Sequence, residues 1–206
     1  MPLIRKTPDR TTKAAQPAAD TAAGLADASP DTRWAAARAS ADRPEAVPAL
    51  AHALAHENDV RVREAIFTAL ARIATAESVL AVLPYIGSDD ANLRTGALDA
   101  LRAMPGLTEP HLPQLLADPD SDVRLLACDL ARVMTGAEVP QLLCRLLDAD
   151  PQANVCAAAV EVLAEIGDAH AVPALERCAA RFPDDPFLGF AIRATAGRLT
   201  LQADRG

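Results

Sequence analysis

A chain of 206 residues is long enough to bury a core. Half of it is hydrophobic, yet Trp34, Tyr85 and four Phe are its aromatics, so the core must be built from Ala, Leu, Val and Ile, side chains that suit closely packed helices. The net charge of −8 divides into +2 over residues 1–20 and −10 over the remainder, and an acidic body repels phosphate backbones, which argues against nucleic acid as a partner. No apolar run approaches the ~20 residues of a membrane span, and no apolar leader opens the chain, so we expect no membrane partner, a cytoplasmic location and reduced thiols at Cys128, Cys144, Cys156 and Cys178.

In chain order, residues 1–20 lack periodicity and read as a flexible basic arm. Its head, Met1-Pro-Leu-Ile-Arg-Lys6, pairs two aliphatics with two cations and is either an unstructured leader or a docking motif for an acidic groove. From Thr21 to Ser40 the sequence predicts a short helix and then a longer one, with Ser29 as N-cap and Pro30 in the first turn. Residues 21–201 then form one repeating array, followed by a tail at 202–206.

The repeating unit is clearest at Asp120-Ser-Asp-Val123-Arg124, followed by Ala127, Leu130, Ala131 and Met134. With Val123 as position 0, an acid stands at −3, Arg at +1, and apolar residues at +4, +7, +8 and +11. The same register holds from Val62 and from Leu93, and weaker copies start at Thr32, Val155 and Leu188. These anchors are 30, 31, 30, 32 and 33 residues apart, a period that means stacked supersecondary units. Each anchored segment, helix B, is preceded by a helix A marked aliphatic-Pro-x-Leu at Val47, Leu112, Val139 and Val172, with a Pro-less copy at Val79. The turns between A and B are acid-rich, which supplies caps and suits the helix dipole. The twelve-residue ligand spacing of a calcium loop is absent.

The stretches Val62-Arg63-Glu-Ala-Ile-Phe-Thr-Ala-Leu70, Leu93-Arg94-Thr-Gly-Ala-Leu-Asp-Ala-Leu101 and Val123-Arg124-Leu-Leu-Ala-Cys-Asp-Leu130 resemble the HEAT repeat, in the short bacterial form also seen in phycobilisome-lyase-type HEAT-like proteins. The resemblance implies an all-α fold, a right-handed α-α superhelix of about five to six helical hairpins. Departures are Thr32 at the first anchor, Cys156 and Gly189 in place of Arg, and Gln152 in place of the acid, as terminal copies of a stack commonly deviate.

At 100° per residue, positions 0, 4, 7, 8 and 11 of helix B share the face that packs on helix A, while 2, 5, 6 and 9 point away. By resemblance the outward positions line the concave surface. They place Trp34, Glu64, Leu125 (position 2), Phe67, Leu98, Val160 (position 5), Asp99, Asp129, Glu161 (position 6) and Arg102, Arg132 (position 9) on a candidate partner-binding face. Apolar patches rimmed by charge mark partner surfaces, although position 5 also has a reading as packing between repeats. The Arg column, Arg33, Arg63, Arg94 and Arg124, reads as a structural ladder to carboxylates of adjacent repeats.

No catalytic constellation emerges. His52, His56 and Glu57 lack a convergent further ligand, and the single His-Glu pair does not match the iron-binding pairs of HEAT-like hydroxylases. The cysteines are not spaced as CxxC pairs and read as small buried hydrophobes, with Cys128 and Cys156 as candidate reactive thiols. We therefore expect no enzyme, metal or cofactor, and a protein-protein interaction module binding a basic or amphipathic segment. The alternative implied by the resemblance is an accessory subunit or tetrapyrrole chaperone of the lyase type.

Overall fold

The computed structural model describes residues 20–203, so residues 1–19 of the predicted arm and most of the predicted tail lie outside it, and the arm's last residue, Asp20, opens a helix. No strand occurs among the described residues. The chain divides into two compact units, one ending at Ala103 and one beginning at Met104.

In the first unit, α1 (residues 20–25) pairs with α2 (Pro30–Ala39), α3 (Val47–His56) with α4 (Val60–Ile73), and α5 (Ala76–Val82), prolonged by a 3₁₀ turn at Leu83–Tyr85, with α6 (Ala91–Arg102). The second unit repeats the arrangement. Its first A helix is broken into α7 (Pro105–Thr108), a 3₁₀ turn at Glu109–His111 and α8 (Leu112–Leu115), because Pro110 and Pro113 each withhold an amide from the helical ladder. α9 (Ser121–Ala131), α10 (Val139–Ala149), α11 (Ala153–Ile166), α12 (Val172–Arg181) and α13 (Pro186–Ala203) complete it. Six hairpins are present among the described residues, within the expected five to six, and the B helices are α2, α4, α6, α9, α11 and α13.

Caps explain where most B helices begin. Asp59, Asp90, Asp120 and Asp185 each accept amides of their own first turn, as the acid at −3 predicts. Ser29 does not cap: its side chain bonds no first-turn amide, and Asp27 Oδ1 instead accepts the Ser29 amide at 2.8 Å. Gln152 likewise caps no first-turn amide, and its own amide donates to Asp150 at 2.9 Å. α4 stops at Ala74, which adopts a left-handed conformation (φ 50°) and returns its amide to Leu70.

The stripe at 0, 4, 7, 8 and 11 forms the core. Val62, Ile66, Ala69 and Leu70 are buried in the first unit, and Val123, Ala127, Leu130, Ala131 and Met134 in the second. A helices contribute Leu50 and Leu54, and Leu143, Leu147 and Leu175. Within each unit consecutive B helices also pack side by side, α2 on α4 on α6, and α9 on α11 on α13. This second contact direction controls which outward residues stay accessible.

Candidate functional site

Position 5 sits on the flank of the B helix, about 120° from the core stripe, where the neighbouring B helix passes. Phe67, Leu98 and Val160 retain only 4%, 9% and 1% of their surface, so these three predicted anchors belong to the packing and not to the accessible face. The Phe67 ring lies over Gly96 of α6 and meets Tyr85 edge-on at 5.9 Å between ring centres. A Cβ on Gly96 would stand 2.5 Å from Phe67 Cδ2, so the glycine makes room for the ring. The available signal was the small residue at position 3 of every copy but one, Ala35, Ala65, Gly96, Ala158 and Ala191 against Leu126.

Positions 2 and 6 remain outside. Trp34, Glu64, Asp99 and Glu161 are exposed, and Leu125 and Asp129 are half-buried. In the first unit the exposed face carries two successive grooves. One, of about 460 Å³ between α2 and α4, is lined by Trp34, Arg38, Arg61, Glu64 and Arg72 among others. The next, of about 730 Å³ between α4 and α6, has the edge of Phe67 in its floor and Asp99 at its rim. Glu64, Thr68 and Arg72 line both. In the second unit Leu125 and Glu161 stand on α9 and α11, and Arg132 reaches Asp129 at 3.7 Å and also pairs with Glu165.

Ion pairs organise the rim. Arg61 of α4 reaches Asp31 of α2 at 3.2 Å and Arg72 of α4 reaches Asp42 in the turn after α2 at 3.0 Å, and each pair joins equivalent positions 30 residues apart. Sequence reasoning missed these four residues, although opposite charges at the repeat spacing were visible. Arg102 bonds Asp99 at 3.2 Å, and the Arg38 guanidinium lies over the Trp34 ring at 4.7 Å.

The Arg column is structural, as its pattern predicts. Arg33, Arg63, Arg94 and Arg124 each donate to the backbone carbonyl six residues earlier, namely Asp27, Glu57, Ser88 and Asp118. Arg33 also pairs with Glu57, Arg63 with Asp90 and Arg124 with Asp150, so a turn in one repeat is tied to the turn of the next. Hydrogen bonding from Arg33, opposed by burial and aided by the Asp59 and Asn58 amides, holds the Glu57 carboxyl at about 2. Where Cys156 replaces Arg, its thiol takes the same carbonyl, that of Asp150, and Arg181 from α12 bonds Asp150 and Leu147 carbonyls as well.

Cys128 and Cys156 are fully buried, which removes them as accessible nucleophiles. Burial pushes the Cys128 thiol up to about 12, and a hydrogen bond donated to Cys178 together with burial raises Cys156. His52 and His56 stack at 4.6 Å on the surface of α3, and no cluster of three metal-ligating side chains occurs among the described residues.

The family model for HEAT repeats matches residues 19–102 and 108–195. A search of curated proteins found no match. Among solved structures, an engineered protein from the Northeast Structural Genomics Consortium is similar at 18% identity and a TM-score of 0.43, covering 89% of this chain and 96% of that one. The complex of CpcE and CpcF of phycocyanin lyase from Nostoc sp. PCC7120 is similar at 17% identity and a TM-score of 0.41, covering 97% of this chain and 96% of that one. With its hairpins in both units and the repeat model spanning nearly all of it, this chain belongs to the HEAT-repeat family.

Proposed function

We propose that the chain is a non-catalytic adaptor that holds a segment of another protein against the outer face of its B helices. The observation that carries this reading is the pair of grooves joined at Glu64 on the first unit, with the exposed indole of Trp34 in one and the edge of Phe67 in the other. Arg61 and Arg72 are engaged with Asp31 and Asp42, which leaves Glu64 as the central acceptor and Trp34 as the apolar anchor. That combination suits a basic or amphipathic segment that lays an apolar side chain on the indole and a cation against Glu64. Leu125 and Glu161 offer the same pairing of apolar and acidic groups on the second unit.

The test is affinity purification from the native cell with the parent protein and with Glu64→Arg and Trp34→Ala. The reading expects a protein partner captured by the parent and lost by both variants at unchanged helicity. Equal capture by all three would refute it. A tetrapyrrole chaperone anchoring its cargo through Cys128 is disfavoured by the burial of that thiol.

A further inference from the structure

The B helix of the sixth hairpin, α13, turns an apolar face away from the core. On α13, Leu188, Ile192, Thr195 and Leu199 are turned into the core, while Phe187, Phe190 and Leu201 keep 85%, 69% and 58% of their surface in solvent. These three, with the exposed Ala194 and Gly197, fall at spacings of 3 and 4 over residues 187–201. They form one straight stripe, within about 80° at 100° per residue, on the side of the helix away from the core. Nothing lies within 4 Å of a Cβ built on Gly197.

We propose that this stripe is a self-association surface on which α13 of a second copy packs antiparallel. The order of sizes along the stripe, two large residues, two small and one large, is self-complementary in that direction. Pairing positions whose numbers add to 384 sets Phe187 of each copy into the gap at the other's Gly197. It sets Phe190 against the other's Ala194, and Leu201 against the exposed Pro183. Both aromatic knobs thus meet small residues, which allows close approach of the two helices. The same register brings the half-buried Arg198 beside the exposed Asp184 at the other helix's N-terminal end. A parallel arrangement would oppose Phe to Phe and leave Arg198 beside its own counterpart.

An aromatic side chain covers 150–250 Å² when buried, so at these exposures the four Phe of a pair would bury roughly 600 Å². With Leu201, Pro183 and the flanking side chains the total approaches the ~1,200 Å² at which specific interfaces begin. The expected product is a symmetric dimer of micromolar rather than nanomolar affinity, with isologous contacts.

Sedimentation velocity of the full chain across a concentration series tests this. The parent should shift reversibly from the 21.6 kDa protomer to twice that mass. Phe190→Asp should stay a protomer with the same circular dichroism spectrum and melting curve, because Phe190 is solvent-exposed in the protomer. Gly197→Leu separates a shaped interface from mere stickiness: it adds apolar surface and favours helix, yet filling the gap should abolish the dimer. Arg198→Glu should weaken association at least tenfold, and Asp184→Arg added to it should restore most of the loss. A parent that remains a protomer throughout, or a Gly197→Leu variant that associates as well as or better than the parent, overturns the proposal.

Discussion

Replacing Arg124 with Leu should destabilise the second unit far more than any exposed ion pair can. The guanidinium Nε sits 2.6 Å from Asp150 Oδ2 and Nη2 sits 3.2 Å from Oδ1, while Nη1 bonds the Asp118 carbonyl at 2.8 Å. The side chains of Arg124 and Asp150 keep only 12% and 1% of their surface, so the carboxylate has no access to water once its partner is removed. Breaking such a pair from one side costs about 3–5 kcal/mol. The Gln152 amide stays bonded to Asp150, which places the expected loss near the lower end, about 3 kcal/mol. For a unit of this size each kcal/mol moves the midpoint by about 4–8 °C, so the thermal transition assigned to the second unit should fall by about 12–24 °C. Calorimetry with parallel circular dichroism is the assay. Arg61→Ala, which breaks an exposed pair, should leave the midpoint unchanged. Arg124→Leu combined with Asp150→Leu should recover more than half of the loss, because no carboxylate is then stranded. A single-variant shift within about 0.5 kcal/mol, or a double variant as unstable as the single, would refute the clamp.

Three further outcomes follow from the same geometry. Glu57 titrates near 2 in the folded chain against an ordinary value of 4.5, so the stability it contributes is complete above pH 4.5 and is lost as pH falls through about 2. Glu57→Gln should therefore be less stable than the parent at pH 7, with the gap between their urea midpoints closing over that acid window. Gly96→Ala gains helix propensity of up to about 1 kcal/mol but drives a methyl into the Phe67 ring, at a cost of about 1–3 kcal/mol, so chemical denaturation should show a net loss. In native protein at pH 8, iodoacetamide should label the half-buried Cys144 first, and Cys128 only after unfolding, as mass spectrometry of the digested chain can follow.

The hairpins were legible because the period near 31 residues and the stripe at 0, 4, 7, 8 and 11 are both consequences of stacking. The acid at −3 and the Arg at +1 located helix starts and the ladder for the same reason. The accessible face was less legible. Helical periodicity gives the azimuth of a residue about its own axis, but not how far round the neighbouring B helix reaches. Phe67 and Val160 look outward on a wheel and are nonetheless covered, because α6 and α13 pass beside them. Ser29 illustrates a separate limit: residue type favoured it as a cap, yet its side chain bonds no first-turn amide and its own amide goes to the carboxylate two residues earlier.

Arg181 has a consequence for how such arrays grow and shrink. Wherever Arg stands at position +1, a hairpin carries within its own sequence the donor that closes its turn. In the fifth hairpin that donor is lost to Cys156, and the carbonyls of Leu147 and Asp150 are served from the first helix of the sixth. The last two hairpins are thus a single inheritable cassette. Gene rearrangement or design that removes the sixth hairpin alone would take Arg181 from the Leu147 carbonyl and leave the Asp150 carbonyl to the weak thiol donor of Cys156, whereas removing residues from Val139 onward would take both acceptors away with their donor.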